Sequence, residues 1–367
     1  MIRYLDNQEK VLTKELWREA FPEDSEEFLD YYDQEKMPTN QVLVREEEGI
    51  CSMLHLNPYA LQVKNTNWNV AYVVAVATKA QLRHRGYMRS LLLRMMQDMR
   101  KQKMPFCFLM PAAEAIYTPF QFTFIYDQPI WKLKEGLELT QISVEEPIKE
   151  EPSTECSQQV QEEGLKRIAD WMQNWLEERY EVFAKRDLSY VKSLLHEVKS
   201  EDGTMNLLYD GDRMVGVWAT WGREKKEQRF LYTEDGYSEL EEKKPAIMAR
   251  IITPETFVPV IHLKQQVQIE QLQICLELED QMIPQNSGRF LWTLDQEGSE
   301  LENLDEQIET MEEALAQTKW DSEKVLHLRI EELTQWLFGY GIPDAVKNYS
   351  GTDQIEVLSR IFLDEVV

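Results

Sequence analysis

The 367-residue chain has few of the residues that build metal clusters or disulfide scaffolds. Its four cysteines stand apart at positions 51, 107, 156 and 275, and there are five histidines. No Cys/His group has ligand spacing, which argues against structural zinc and a disulfide framework, and no metal is expected. Isolated cysteines fit a reducing compartment, so the expected location is cytoplasmic. Long apolar runs are scarce too. "YVVAVA" (72–77) has strand length, far short of a membrane span. The opening "MIRYLDNQEKV" lacks the apolar core of a signal peptide. Bases are the minority charge: 40 Lys and Arg against 66 Asp and Glu, a net charge of -26. Phosphate binding needs a basic face, so nucleic acid is not the expected partner. An acidic chain gathers cations, and a positively charged amine is the substrate class that charge favours; acidity that serves only solubility is the bland alternative. The common phosphate loops, GxxxxGK[ST] and GxGxxG, are both missing.

What is present suffices for real cores: 43% hydrophobic residues and ten tryptophans. The length calls for two or three domains. "LTKELWREAFP" and "DSEEFLDYYDQEKMP" read as helices, the second capped by Ser25. "NQVLVRE" and "GICSMLHLNP" read as a hairpin, and "NVAYVVAVAT" (69–78) and "FCFLMPA" (106–112) as buried strands. "SVEEPIKEEPSTECSQQVQEEG" holds two prolines among acids and reads as a linker. Beyond it come helices around "RIADWMQNWLEERY" and "YVKSLLHEVKSE", then a hairpin turning at Asp210-Gly211. Farther on, "VQIEQLQICLELEDQ" and "SGRFLWTLD" read as paired strands. Nine acids and no base lie between Asp295 and Glu313, which reads as a solvated face. The terminal "DQIEVLSRIFLDEVV" reads as a helix. The expected units are 1–145, a linker 146–164, 165–250 and 251–367. The first two share a rough order of elements, and the second has no equivalent of the basic turn described next.

Residues 76–92, "VATKAQLRHRGYMRSLL", carry the sharpest chemistry. A buried strand ends, and Arg83, His84 and Arg85 lead through Gly86 into a helix with Leu91, Leu92, Met95, Met96 and Met99 at helical spacing. A helix N-terminus offers unpaired N–H groups and partial positive charge. A glycine there lets an anion approach the backbone, and the bases add charge-assisted bonds. One glycine flanked by bases fits the diphosphate of coenzyme A.

This stretch resembles the coenzyme A signature of GNAT acetyltransferases, a strand followed by [RQ]-x-x-G-x-[GA]. Arg83 and Gly86 match; Met88 stands where Gly or Ala is preferred. "AIYTPFQFTFIY", "AIMARIITPETF", "DQMIPQNSGRFLW", "RIEELTQWLFGY" and "IFLDEVV" extend the resemblance along the chain to Eis-type acetyltransferases. The resemblance implies an α+β fold. It would hold tandem GNAT-like mixed sheets with flanking helices, the second degenerate, then a sterol carrier protein-like α/β domain whose C-terminus reaches the active site. It implies acetyl transfer from acetyl-CoA to a primary amine of an aminoglycoside, a polyamine or a lysine, with no metal. It also implies a homo-oligomer, a trimer or hexamer.

Carried over residue by residue, Val76, Ala77 and Thr78 would offer backbone groups to the thioester and pantetheine. Arg83, His84, Arg85, Gly86, Tyr87, Met88 and Arg89 would hold the diphosphate. Tyr117 and Thr118 would lie across the cofactor. The family's proton-donating tyrosine falls on Phe122, which has no proton to give. Tyr117 and Tyr126 are the alternative hydroxyls, with Tyr126 taken as general acid, unless coenzyme A leaves as a thiolate, which thiols of pKa about 8.5 tolerate. The family's base is the terminal carboxylate, here of Val367, beside Asp364 and Glu365. A rival expectation is a lipid- or sterol-binding protein that uses the third unit.

Overall fold

The computed structural model describes residues 1–144, 155–305 and 325–365, with backbone alone over 155–161. The stretch 145–154, the later part of the acidic run and Val367 lie outside the described residues.

The chain opens with β1 (Ile2–Tyr4), α1 (Lys14–Ala20) and α2 (Glu26–Glu35). Ser25 caps α2 as its sequence suggests, its hydroxyl accepting from the Phe28 N–H at 3.0 Å. The hairpin β2 (Gln41–Glu47) and β3 (Gly49–Val63) follows, then β4 (Thr66–Thr78). Next come α3 (Tyr87–Lys101), β5 (Phe106–Leu109), α4 (Glu114–Tyr117) and β6 (Thr123–Leu133). The face of α3 carrying Leu91, Leu92, Met95, Met96 and Met99 is buried against the sheet, each such side chain contributing about 1.5–3 kcal/mol.

The second unit holds β7 (Thr140–Ser143), α5 (Glu155–Arg179), β8 (Val182–Ala184) and α6 (Leu188–Ser200). It continues with β9 (Thr204–Asp210), β10 (Arg213–Trp221), β11 (Glu227–Thr233) and β12 (Ser238–Ile251). The expected hairpin at Asp210-Gly211 is β9–β10. Helix α5 begins at Glu155, inside the stretch read as a linker.

Strand order departs from chain order. The first sheet runs β1-β2-β3-β4-β5-β12-β6. β12 lies between β5 and β6, antiparallel to both, so the second unit is an insertion within the first sheet's last hairpin. In return β7 joins the second sheet, β11-β10-β9-β7.

The third unit begins with β13 (His262–Leu263) and pairs β14 (Leu272–Glu279) with β15 (Gly288–Leu294), as its alternating pattern predicts. β16 (Ser299–Asn303) and β17 (Val325–Arg329) complete that sheet, and β18 (Ile355–Glu356) pairs with β13. Arg250 of β12 ties this unit to the first. It is fully buried, donates to the Phe120 carbonyl at 3.0 Å and pairs with Asp280.

The chain's end is extended where the sequence reads as helix. β19 (Ile361–Phe362) runs parallel to β8, which is itself antiparallel to β3. Edge pairing in the first sheet satisfies this backbone and overrides the helical spacing. The whole is a mixed α/β fold in which helices flank the sheets.

Candidate active site

The site is a splay between two parallel strands. β4 and β5 pair only at Ala71–Cys107 and Tyr72–Phe108. Beyond Tyr72 a bulge bends β4: Ala75 has φ 51°, and the β3–β4 register slips between Met53 and His55. The backbone edge of β4 that faced β5 then opens into a cleft of about 740 Å³. Tyr72 to Thr78 form one wall, Met110 to Ala112 the other, and Ile116, Tyr117 and Phe120 close it. The far end of β4 is pinned by Ser52, whose hydroxyl donates to the Ala77 carbonyl at 2.7 Å and bonds the Thr78 hydroxyl at 2.8 Å.

The basic turn forms the outer end. Gly86 is the N-cap of α3 in a left-handed conformation, φ 77°, and no side chain caps the helix there. The first-turn N–H groups are therefore left for a ligand. A Cβ on Gly86 would meet nothing within 4 Å, so conformation and open approach, not crowding, call for glycine. His84 is also left-handed, φ 63°. Arg83 folds back, its Nε donating to the Thr78 carbonyl at 3.2 Å. Glu19 of α1 braces the loop by accepting from the Ala80 N–H at 2.8 Å.

Of the residues expected to hold the cofactor, Val76, Ala77, Thr78, Arg83, His84, Gly86, Tyr87, Met88, Arg89 and Tyr117 line this one cleft. Arg85 is exposed and outside the lining. Thr118 is exposed as well, its hydroxyl donating to the Glu114 carbonyl at 3.1 Å. Tyr87 turns its ring away: Arg45 lies over it at 3.9 Å and its hydroxyl donates to Glu47. The sequence reading missed Tyr72, Met110, Pro111 and Phe120. The apolar strand end "FLMP" is a local signal for Met110 and Pro111, whereas Tyr72 and Phe120 reach the cleft through the fold.

The two tyrosines considered for proton donation separate. Tyr117 lines the cleft, and burial pushes its hydroxyl up to about 12. Tyr126 is not among the cleft residues; it lies on β6 with its ring 6.3 Å from Phe362 of the tail. Its hydroxyl is buried without a hydrogen-bond partner among the described residues, and burial raises its pKa well above the usual phenol range. Phe122 is in the core, edge-on to Tyr117 at 6.0 Å.

The tail approaches the inner end of the cleft. Phe362 pairs with Phe183, which faces Gln62 of β3. Leu363 to Glu365 continue toward the level of Tyr59, whose partner Val70 is two positions before Tyr72. Accordingly Glu365 raises the pKa of both Tyr59 and Tyr72, though burial is the larger cause.

The acids of the first helices are largely taken. Glu26 pairs with Arg18, Asp33 with Lys14, Glu27 with Arg223, and Asp24 accepts from Trp17 Nε1. In the third unit Trp292 and Trp336, both buried, meet edge-on at 5.7 Å. No helix among the described residues is long and apolar enough to cross a membrane.

Comparison with known proteins gives this geometry a class. Residues 1–125 match the model of the GNAT acetyltransferase domain, and residues 263–365 that of the sterol carrier protein domain. The chain thus carries an acetyltransferase domain of the GNAT type and a C-terminal sterol carrier protein domain. Its whole length shares a fold with a conserved Enterococcus faecalis protein of unknown function, described as a probable N-acyltransferase. The two are 14% identical with a TM-score of 0.67, covering 100% of this chain and 99% of that one. A GCN5-related N-acetyltransferase from Anabaena variabilis is 13% identical with a TM-score of 0.66, each chain covered completely (100%). Eis1 from Mycobacterium abscessus is 11% identical with a TM-score of 0.63, again with 100% of both chains covered. No curated protein matches the chain by sequence.

Proposed function

We propose that the protein transfers an acetyl group from acetyl-CoA to a primary amine of a cationic small molecule, of aminoglycoside or polyamine type, or of a lysine, as an Eis-type enzyme. The observation that carries the reading is a convergence at Tyr72. There the β4–β5 splay begins, and there the acidic tail arrives from the third unit. The cleft fits coenzyme A: an unpaired strand edge for the pantetheine amides and an uncapped, glycine-led helix end for the diphosphate. Acetyl-CoA supplies the thioester carbon that the amine attacks.

Val76, Ala77 and Thr78 orient that thioester with backbone groups. Arg83, His84, Gly86 and Arg89 receive the diphosphate. Tyr117 takes the role of proton donor to the departing sulfur in place of Tyr126, because it lines the cleft and is held protonated. The terminal carboxylate of Val367 takes the amine's proton. An ordinary α-carboxyl near pKa 3.5 is a weak base, and burial away from water would raise it. A cytoplasmic homo-oligomer, trimeric or hexameric, belongs to the same proposal, and light scattering checks its size. The rival reading, a lipid or sterol carrier that uses the third unit, is what remains if no amine is turned over.

The test is a melting curve with acetyl-CoA, followed by a free-thiol assay over a panel of amines. Stabilisation by acetyl-CoA and turnover of at least one cationic amine are expected. Failure of acetyl-CoA to raise the melting temperature would sink the reading. Deleting Val367 should cut the rate without loss of fold; unchanged turnover removes the terminal base.

A further inference from the structure

Among its described residues the second unit has no equivalent of the basic turn, yet it buries an unusual amount of charge. Arg186 is 2% exposed, Arg229 5% and Glu197 4%. Stripping water from such groups costs about as much as their pairing returns, and apolar residues of like size would hold the unit as well. Their value therefore lies in what they fix, and both arginines end on the tail.

Arg186 Nη1 donates to Glu365 Oε1 at 2.9 Å, and the Tyr190 hydroxyl donates to Glu365 Oε2 at 2.8 Å. Arg229 Nη1 donates to Asp364 Oδ1 at 3.2 Å, while its Nη2 reaches the Asp364 carbonyl at 3.3 Å. Arg229 Nε is itself held by Glu197 at 2.9 Å. The Tyr232 hydroxyl donates to Asp364 Oδ2, and Gln128 Nε2 of the first unit donates to Asp364 Oδ1 at 3.1 Å. Every oxygen of both carboxylates thus has a donor. Adjacent residues on an extended chain point to opposite sides, so the two acids grip the tail from two directions. A slip of one residue would exchange their faces and break every bond.

We propose that Arg186, Tyr190, Arg229, Tyr232 and Gln128 form a clamp that positions the chain's last residues at the cofactor cleft. Holding the tail is then the task of the second unit. These are positioning residues, acting through the terminal carboxylate, and that part rests on the reading of Val367 as base.

Removing one arginine alone leaves a buried acid unpaired and risks unfolding. The test therefore uses the neutral pair Arg186→Met/Glu365→Met with the milder Tyr190→Phe and Gln128→Leu, all in the full chain. Carboxypeptidase release of the terminal valines reads the clamp directly. The paired variant should release them about tenfold or more faster than wild type at a similar melting temperature, with the milder variants between. Equal release rates overturn the clamp. With spermidine as probe amine, the paired variant should lose about 100-fold in kcat with KM for acetyl-CoA unchanged. Deleting Val367 from the paired variant should cost nothing further; additive losses overturn action through the terminus. Full turnover after deleting Val367 from wild type refutes the terminal base alone, and valine release still decides the clamp.

Discussion

Replacing Gly86 by alanine separates what the turn costs the fold from what it gives the cofactor. Gly86 has φ 77°, and an added Cβ meets nothing within 4 Å. The penalty is therefore conformational and not steric. An L-residue in the left-handed region costs about 1–2 kcal/mol. Alanine also narrows the unfolded ensemble, which returns about 0.4–1 kcal/mol. The net loss is about 1 kcal/mol, a fall in melting temperature of roughly 2–4 °C or less for a chain this long. Coenzyme A affinity should fall much further. The open space above Gly86 is where the diphosphate would meet the helix N–H groups, and a methyl there holds it off. A loss of about tenfold or more, roughly 1.4 kcal/mol or greater, is expected. Isothermal titration with coenzyme A and thermal unfolding without ligand read the two effects on one protein. If the variant loses stability but binds coenzyme A like wild type, the diphosphate does not sit on this turn.

Three further outcomes can be measured. Tyr117→Phe should lower kcat about 100-fold with KM for acetyl-CoA unchanged; because burial holds the Tyr117 hydroxyl up to about 12, wild-type turnover should not fall off below about pH 11 for want of its proton. Full kcat in that variant means that the thiolate departs unaided. His55 is fully buried and burial pushes it down to about 3, so the unfolded chain takes up a proton below about pH 6.5 that the folded chain refuses, and stability should drop by up to about 1.4 kcal/mol per pH unit between those values. Urea unfolding at pH 7 and pH 5 should show this slope, and His55→Asn should flatten it; an unchanged slope assigns it to other groups. A fragment 1–145 lacks β12, whose Ile247, Met248, Ala249 and Ile251 are fully buried between β5 and β6. Losing that strand forfeits about 6–10 kcal/mol, comparable with a domain's whole stability, so the fragment should show no cooperative melt, and a cooperative one would refute the role of the inserted strand.

What the sequence discloses and what it hides divide by the range of the interactions involved. The glycine turn is legible because its causes are local: a strand that ends, a glycine with φ 77°, and an amphipathic helix beginning at Tyr87. The hairpins β2–β3, β9–β10 and β14–β15 are legible for the same reason. Nothing local in "IMARII" says that Met248 faces Leu109, 139 positions earlier in the chain. The tail shows the same limit. "SRIFLD" has apolar spacing compatible with a helix, and only β8, already laid along β3, offers the edge that extends it. Tyr117 and Tyr126 are equivalent as letters, and the β4–β5 splay alone decides which one faces the cleft. Asp364 and Glu365 could be read as neighbours that tune a terminal base. Their partners Arg229 and Arg186 lie 135 and 179 positions away, so the clamp has no trace in either stretch. The expectation of a cofactor thus rests on a local motif, whereas the groups that would activate the amine depend on contacts among all three units. A change of substrate among related chains is for this reason expected in the residues around the tail more than in the glycine turn.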